Sequence, residues 1–296
     1  MEDVLEIQVE PGIGDFSWIY SKLSNIGVPL KVVVPDAKPR RLGQFLELLP
    51  NVVDMEYKEP KHVPGRFLAC AIGGEMYAEM SKAEFLEHCK EKDNLIWFSL
   101  NVFLEKSNRL ETYLPDVPTN FHYDINISDQ AIEEADNLLG GKKDYLLLYS
   151  SSYKGAAVWK GWNSADWANF INLYREAFGD IDVVLMGAEW DLDHGEAICN
   201  HVPNILNLVG KTKLDVAIEV IKRSSYFVAF PSGLPVLANV VKKPVWMFYP
   251  EHLSGLQYSW ACPESIESKD YKASLWVPPQ DVIKWLDEEY QMKDKL

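Results

Sequence analysis

Four segments of this chain combine residue types suited to handling a phosphorylated ligand, and each follows an apolar run. The first is Pro11-Gly12-Ile13-Gly14-Asp15. Its two glycines, Gly12 and Gly14, let the backbone turn tightly and approach a ligand closely. A carboxylate placed where a helix begins is able to take a proton from an acceptor hydroxyl. The same residues also read as a tight turn with Asp15 capping the helix, and from this loop alone the cap is the simpler account. The third glycine of a dinucleotide fingerprint is missing.

The second segment runs from Ser150-Ser151-Ser152-Tyr153-Lys154 to Trp159-Lys160-Gly161-Trp162. Hydroxyls after a strand, followed by a lysine, make a diphosphate site in which the cation offsets charge on a departing nucleotide. Lys154 reads as a surface lysine, and Lys160, between two tryptophans, is the stronger candidate. The third is Met186-Gly187-Ala188-Glu189-Trp190-Asp191, where an acidic side chain accepts hydrogen bonds from ribose hydroxyls, as in other nucleotide folds. Asp191-Leu192-Asp193 matches a metal-holding D-x-D pattern. Carboxylates in a first helical turn are favoured by the helix dipole, which accounts for them without a metal, so none is expected. The fourth is Phe230-Pro231-Ser232-Gly233-Leu234-Pro235. Ser232, Gly233 and Leu234 leave backbone N–H groups at a helix start free to face phosphate oxygens, although an ordinary strand-to-helix turn would look the same.

The elements that must position these loops alternate between strand and helix. Strands are predicted at Leu5–Val9, Lys31–Val34, Val52–Tyr57, Phe67–Ile72 and Leu95–Leu100, with helices at Phe16–Ile26, Arg41–Leu49 and Lys82–Lys90. After the irregular stretch from Asn101 to Asn126, a helix at Asp129–Leu139 precedes the apolar run Tyr145–Tyr149, which suits a strand covered on both faces. Asn163 or Ser164 could cap a helix over Ala165–Phe178, and Gly179 suits its end. Strands at Asp182–Met186, Ile205–Val209, Tyr226–Phe230 and Val245–Phe248 then alternate with helices near Asp191–His201, Leu214–Arg223 and Leu234–Val241. Repeated βαβ patterns predict parallel sheets, and the five strands of the second half a doubly wound lobe. A boundary near residues 125–143 gives domains over 1–130 and 131–277. A last helix within 278–296 is free to pack back on the first.

Composition restricts the partners. A chain of 296 residues with 47% hydrophobic and 25% charged residues holds two ordinary globular cores. Its ten tryptophans suit deep pockets or a lobe interface better than a solvated surface. A net charge of −15 disfavours nucleic acid without excluding a local basic patch. The cluster Lys38, Arg40 and Arg41 reads as a solvated helix start. The four cysteines, Cys70, Cys89, Cys199 and Cys262, form no CxxC pair, which suits a reducing, cytoplasmic setting. The N-terminus lacks secretory features, no apolar stretch is long enough to span a membrane, and the six histidines form no metal set. No G-x-S-x-G elbow or Walker A loop is present.

Taken in order, the motifs resemble glycosyltransferase family 9, the group that includes ADP-heptose:lipopolysaccharide heptosyltransferases. Gly12-Ile13-Gly14-Asp15 is similar to the family's N-terminal G-x-G-D loop, and Lys160-Gly161-Trp162 to its K-x-W segment. Gly187 to Asp191 resembles the donor-ribose loop, and Asn207-Leu208-Val209-Gly210-Lys211-Thr212 its N-L-x-G-x-T stretch. Ser232-Gly233-Leu234 with Leu237-Ala238 resembles D-[ST]-G-x-x-H-x-A, except that Pro231 and Val236 stand where the family has Asp and His. The likeness is strong from about residue 144 to 250 and thin before it. It implies a GT-B fold, with two Rossmann-like domains facing each other across a cleft. It also implies an inverting, metal-independent transfer of sugar from a nucleotide-sugar to an acceptor hydroxyl, with no further cofactor. Asp15 would be the base and Lys160 would sit on the donor phosphates. Ser151, Ser152, Gly187, Glu189, Asp191 and the Ser232–Leu234 amides would complete the donor site. The acceptor would be a glycan, a lipid-linked glycan or another hydroxyl compound. The rival readings are a glycosyltransferase acting on hydroxylated bases in viral DNA, a nucleotide-sugar epimerase and a non-catalytic nucleotide-sugar-binding protein.

Overall fold

The computed structural model describes residues 4–8, 12–35, 40–58, 70–72, 75–76, 82–88, 97–98, 114–150, 162–230, 232–247 and 278–293. The chain divides into two compact units, Met1–Ser128 and Asp129–Leu296. In the first, strands β1 (Leu5–Gln8), β2 (Leu30–Pro35) and β3 (Val52–Lys58) pair in parallel in that order. Helices α1 (Ile13–Leu23) and α2 (Arg40–Leu46) form the crossovers. Phe16, Ile19, Tyr20 and Leu23 recur at helical spacing along α1 and are buried, which is what fastens an amphipathic helix to its sheet.

A second set of contacts pins α1. Lys22 is 4% exposed, and its Nζ donates to the carbonyls of Leu114 at 3.0 Å and Val117 at 2.9 Å. Ser17 Oγ lies 2.6 Å from the Tyr123 hydroxyl, and Asn120 N–H donates to Ser21 O at 2.7 Å. The irregular stretch after residue 113 thus braces the helix that carries Asp15.

The parallel pattern predicted for this half does not extend to its later strands. Strands β4 (Cys70–Ile72), β5 (Glu75–Met76) and β6 (Trp97–Phe98) form a separate antiparallel sheet, with α3 (Lys82–His88) between β5 and β6. Only Gly73 and Gly74 separate β4 from β5 in sequence, too few residues for a parallel crossover.

The second unit is built on five parallel strands: β7 (Tyr145–Tyr149), β8 (Asp182–Met186), β9 (Ile205–Asn207), β10 (Tyr226–Ala229) and β11 (Trp246–Met247). Their spatial order is β11-β10-β7-β8-β9, the doubly wound order that reverses direction between β7 and β10. Every residue of β7 is buried. Around the sheet lie α4 (Asp129–Leu139), α5 (Ser164–Phe178), α6 (Leu192–His201), α7 (Leu214–Arg223), α8 (Gly233–Val240) and α9 (Pro279–Lys293). Helix α5 packs on α6 and α9, while α7 packs on α4 and α8. The sequence leaves open a return of α9 to the first lobe. Its buried residues Val282, Ile283 and Leu286 join the second unit's core.

Aromatic rings hold this core together. Trp167 meets Trp162 edge-on at 4.9 Å and Phe230 at 5.2 Å between centroids. Trp162, Trp167 and Trp246 are all buried in the core, so these three tryptophans serve packing rather than a pocket. The ends of α5 follow its sequence signals. Asn163 Oδ1 accepts from Ala165 N–H at 2.8 Å and Asp166 N–H at 3.1 Å, and Asp166 Oδ2 accepts from Asn163 N–H at 3.0 Å. Gly179, at φ 96°, closes the helix in a conformation that favours glycine.

Replacing Asn163 with Ala breaks this capping box and should cost about 1 kcal/mol of unfolding free energy. Urea denaturation would read the change, and an unaltered midpoint would deny the box its stabilising role.

Candidate active site

In an open parallel sheet, ligands settle at the carboxyl ends of the strands, at the point where strand order reverses. Here that point lies between β7 and β10, so the segments after Tyr149 and after Ala229 flank it. The loop after β8 borders the same edge, because β8 pairs with β7. The described starts of three of the four candidate segments, at Ser150, Gly187 and Phe230, therefore lie at one sheet edge. Sequence order alone does not say so, since β7 and β10 lie far apart along the chain.

The start of α8 offers an anion site in outline. Ser232 is its N-cap residue, with extended backbone at φ −165° and no side-chain capping bond. Ser232 Oγ is buried and has no hydrogen-bond partner among the described residues. A buried hydroxyl without a partner costs free energy that a ligand oxygen would recover. The first N–H groups of a helix have no intrahelical acceptor. Because Pro235 at the third position has no N–H, the donors of this turn are Gly233 and Leu234, while Val236 N–H returns to Ser232 O at 3.4 Å. Val236 is 3% exposed in the core. Pro231 lies outside the described residues.

The loop after β8 separates the two acids that the sequence places together. Asp191 is 3% exposed, and its Oδ2 accepts from the Ala188 N–H at 2.8 Å, closing the single 3-10 turn Glu189–Asp191. Glu189 is exposed. A Cβ on Gly187 would lie 3.0 Å from Asp191 Oδ2 and 3.2 Å from Val209 Cγ1, so packing within the protein accounts for this glycine. Gly210, at φ 69°, donates its N–H to Gly187 O at 3.1 Å, and Asn207 Oδ1 accepts from Val209 N–H at 3.0 Å. The N-L-x-G-x-T stretch is therefore a turn that clamps the acidic loop. Asp193 is exposed while Asp191 is buried, and no group of three His, Cys, Asp or Glu residues gathers among the described residues.

His194, in the first turn of α6, carries no signal in the sequence beyond its residue type. Its Nε2 is buried and has no hydrogen-bond partner among the described residues. Burial holds the imidazole below its ordinary pKa, while the Ser150 carbonyl and Asp191 pull in the opposite direction. The net effect of these surroundings is to disfavour the protonated ring.

In the first unit, Gly12 rather than Asp15 is the N-cap of α1, at φ −82° with no side-chain capping bond. Gly14 and Asp15 fall within the first helical turn, the end of the dipole that favours a carboxylate. Ser151, Ser152 and Lys160 lie outside the described residues, and Ser150, just before them, is 4% exposed.

The family model described as glycosyltransferase family 9 (heptosyltransferase) matches residues 90–261. The chain belongs to glycosyltransferase family 9. The match covers all three segments of the second unit's edge and begins beyond the Gly12–Asp15 loop. It also begins well before residue 144, where the motif likeness becomes strong. No curated protein matches the sequence. Among solved structures, Escherichia coli ADP-heptose lps heptosyltransferase II aligns with a TM-score of 0.62 at 14% identity, covering 98% of this chain and 99% of its own. A family 9 glycosyl transferase from Veillonella parvula gives 0.60 at 14%, with 98% of each chain covered. The E. coli heptosyltransferase WaaC, solved with ADP-2-deoxy-2-fluoro heptose, gives 0.54 at 11%, covering 96% of this chain and 99% of its own. The fold is that of GT-B glycosyltransferases, and no described helix of this family 9 chain is long and apolar enough to cross a membrane.

The lowered pKa of His194 makes stability depend on pH. Below the ordinary value of 6.5, an unfolded chain takes up a proton that the folded chain resists. This contribution is complete above pH 6.5 and is lost as the pH falls below it. Chemical denaturation of wild type and His194→Gln at several pH values should show the wild type losing stability more steeply on acidification. Parallel pH profiles would count against a buried neutral imidazole.

Proposed function

We propose that this family 9 member is an inverting, metal-independent transferase that moves a sugar from a nucleoside diphosphate donor to an acceptor hydroxyl. The observation that carries the reading is the start of α8, where the buried, unpartnered Ser232 Oγ joins two helix-end N–H donors at the switch point. Hydroxyl and amide donors so placed suit the oxygens of a diphosphate. Glu189, exposed on the neighbouring loop, is the acid available to ribose hydroxyls. Asp191 supports it by holding the turn. Gly187 serves the same loop. The nucleotide-sugar analogue held by the WaaC structure supports this donor class.

Ser151, Ser152 and Lys160 join from the segment after β7, the lysine offsetting charge on the leaving diphosphate. Asp15, preceded by Gly12 and Gly14, accepts the acceptor's hydroxyl proton as that oxygen bonds to the anomeric carbon. The bond from this carbon to the diphosphate oxygen breaks, and its electron pair leaves with the nucleoside diphosphate. A single displacement inverts the anomeric centre. Lys160 and the helix end supply the positive potential that offsets the leaving diphosphate, without need of a metal. The acceptor class is a glycan, a lipid-linked glycan or another hydroxyl compound. The net charge of −15 weighs against a nucleic-acid acceptor, and the scattered cysteines suit a cytoplasmic setting.

Release of nucleoside diphosphate from a panel of nucleotide-sugars, with hydroxyl acceptors present, tests the reading. Asp15→Asn should lower turnover by about 10²–10⁴-fold while calorimetric donor binding stays within a few-fold of wild type. Full activity in that variant removes Asp15 from the chemistry. Donor binding without any transfer by the wild type would make the chain a binding protein.

A further inference from the structure

Among the described residues, the second unit exposes only two large hydrophobic side chains, Trp190 at 44% and Leu192 at 38%. Both belong to the turn that follows β8, beside the exposed Glu189. Scattered exposed apolar residues need no explanation, but these two share one turn on the edge that the donor site occupies.

The turn is held firmly in place. Asp191 Oδ2 binds Ala188 N–H at 2.8 Å, Gly210 N–H binds Gly187 O at 3.1 Å, and Asp191 N–H binds Ala188 O at 2.9 Å. A Cβ on Gly210 would stand 3.2 Å from Leu192 Cδ2 and 3.4 Å from Glu189 Cα, and one on Gly195 only 2.9 Å from Val209 Cγ2. Packing this close leaves the loop little room to fold its tryptophan inward. The indole is therefore presented at the surface before any ligand arrives, and an aromatic surface fixed in advance loses little entropy on binding.

We propose that Trp190, flanked by Leu192, is the stacking surface for the donor's nucleobase. The inference rests on reading this edge as the nucleoside diphosphate site. In a nucleotide, the base is joined to the ribose carbon adjacent to the 2′-hydroxyl. A ribose held by Glu189 therefore brings its base to the neighbouring position in the same turn. An aromatic face takes any base through its π-surface and selects by stacking strength rather than by hydrogen-bond pattern. Trp190 is a binding and specificity residue, with no part in the bond-making step.

Calorimetric titration of the full chain with ADP, UDP, GDP, CDP and inorganic pyrophosphate tests this. The wild type should bind at least one nucleoside diphosphate. Trp190→Ala should weaken that binding about tenfold or more, Trp190→Phe should retain most of it, and pyrophosphate binding should not change. Equal nucleotide affinity in Trp190→Ala overturns the proposal. So does an equal loss for pyrophosphate, which would mean that the turn itself was disturbed. A change of oligomeric state in Trp190→Ala at unaltered nucleotide affinity would assign the pair to contact with a second copy. If the wild type bound pyrophosphate but no nucleoside diphosphate, the donor-site reading would fail before any base-stacking role was in question.

Discussion

Burial of β7 on both faces is the constraint from which the second unit follows. All five of its residues, Tyr145–Tyr149, are shielded from water, and a strand in that position must be paired on both sides and covered by helices front and back. β8 and β10 supply the pairing, and the crossover helices supply the cover. The chain then leaves the sheet in opposite senses on either side of β7, and open parallel sheets bind their ligands at the carboxyl edge beside such a point. Polar groups that would be costly inside the core, such as the Ser232 hydroxyl and the amides that begin α8, become useful there.

The loops at that edge divide their labour by depth. Gly187, Ala188, Asp191, Val209 and Gly210 interlock through close packing and short backbone hydrogen bonds. Glu189 and Trp190 stand outward on the frame those residues make. A carboxylate spent on the Ala188 N–H stabilises the turn, and a carboxylate left in water is available to a ligand. Two acids two residues apart thus meet different surroundings, one buried and bonded within the turn and one exposed. The same division explains the aromatic residues: Trp162 and Trp167 lock α5 and Phe230 into the core, while Trp190 remains exposed.

In the first unit, α1 is fixed from two sides. Its apolar stripe meets the sheet, and its polar residues Ser17, Ser21 and Lys22 accept or donate hydrogen bonds to the 114–123 segment. Burying the Lys22 ammonium between two carbonyls is tolerable only because both bonds form. This bracing holds the helix whose N-cap is Gly12 and whose first turn includes Asp15.

Much of this was legible from residue order. The continuous apolar run of β7, the Asn163 cap and the Gly179 stop are local signals, encoded within one turn or one strand, and each predicts its element closely. The alternation of strand and helix is enough to specify a parallel second sheet, and the ordered motifs point to the family. What residue order left open involves partners distant in sequence. The antiparallel pairing of β4 with β6 depends on which short strands meet. The different fates of Glu189 and Asp191 depend on Val209 and Gly210 from the next turn. The surroundings of His194 depend on Ser150, which follows β7 far earlier in the chain. The sequence by itself determined which segments become strands, helices and caps, because those preferences act over a few neighbouring residues. Only the tertiary structure decided which polar groups are spent inside the protein and which remain for a ligand, because burial is set by contacts between segments far apart along the chain.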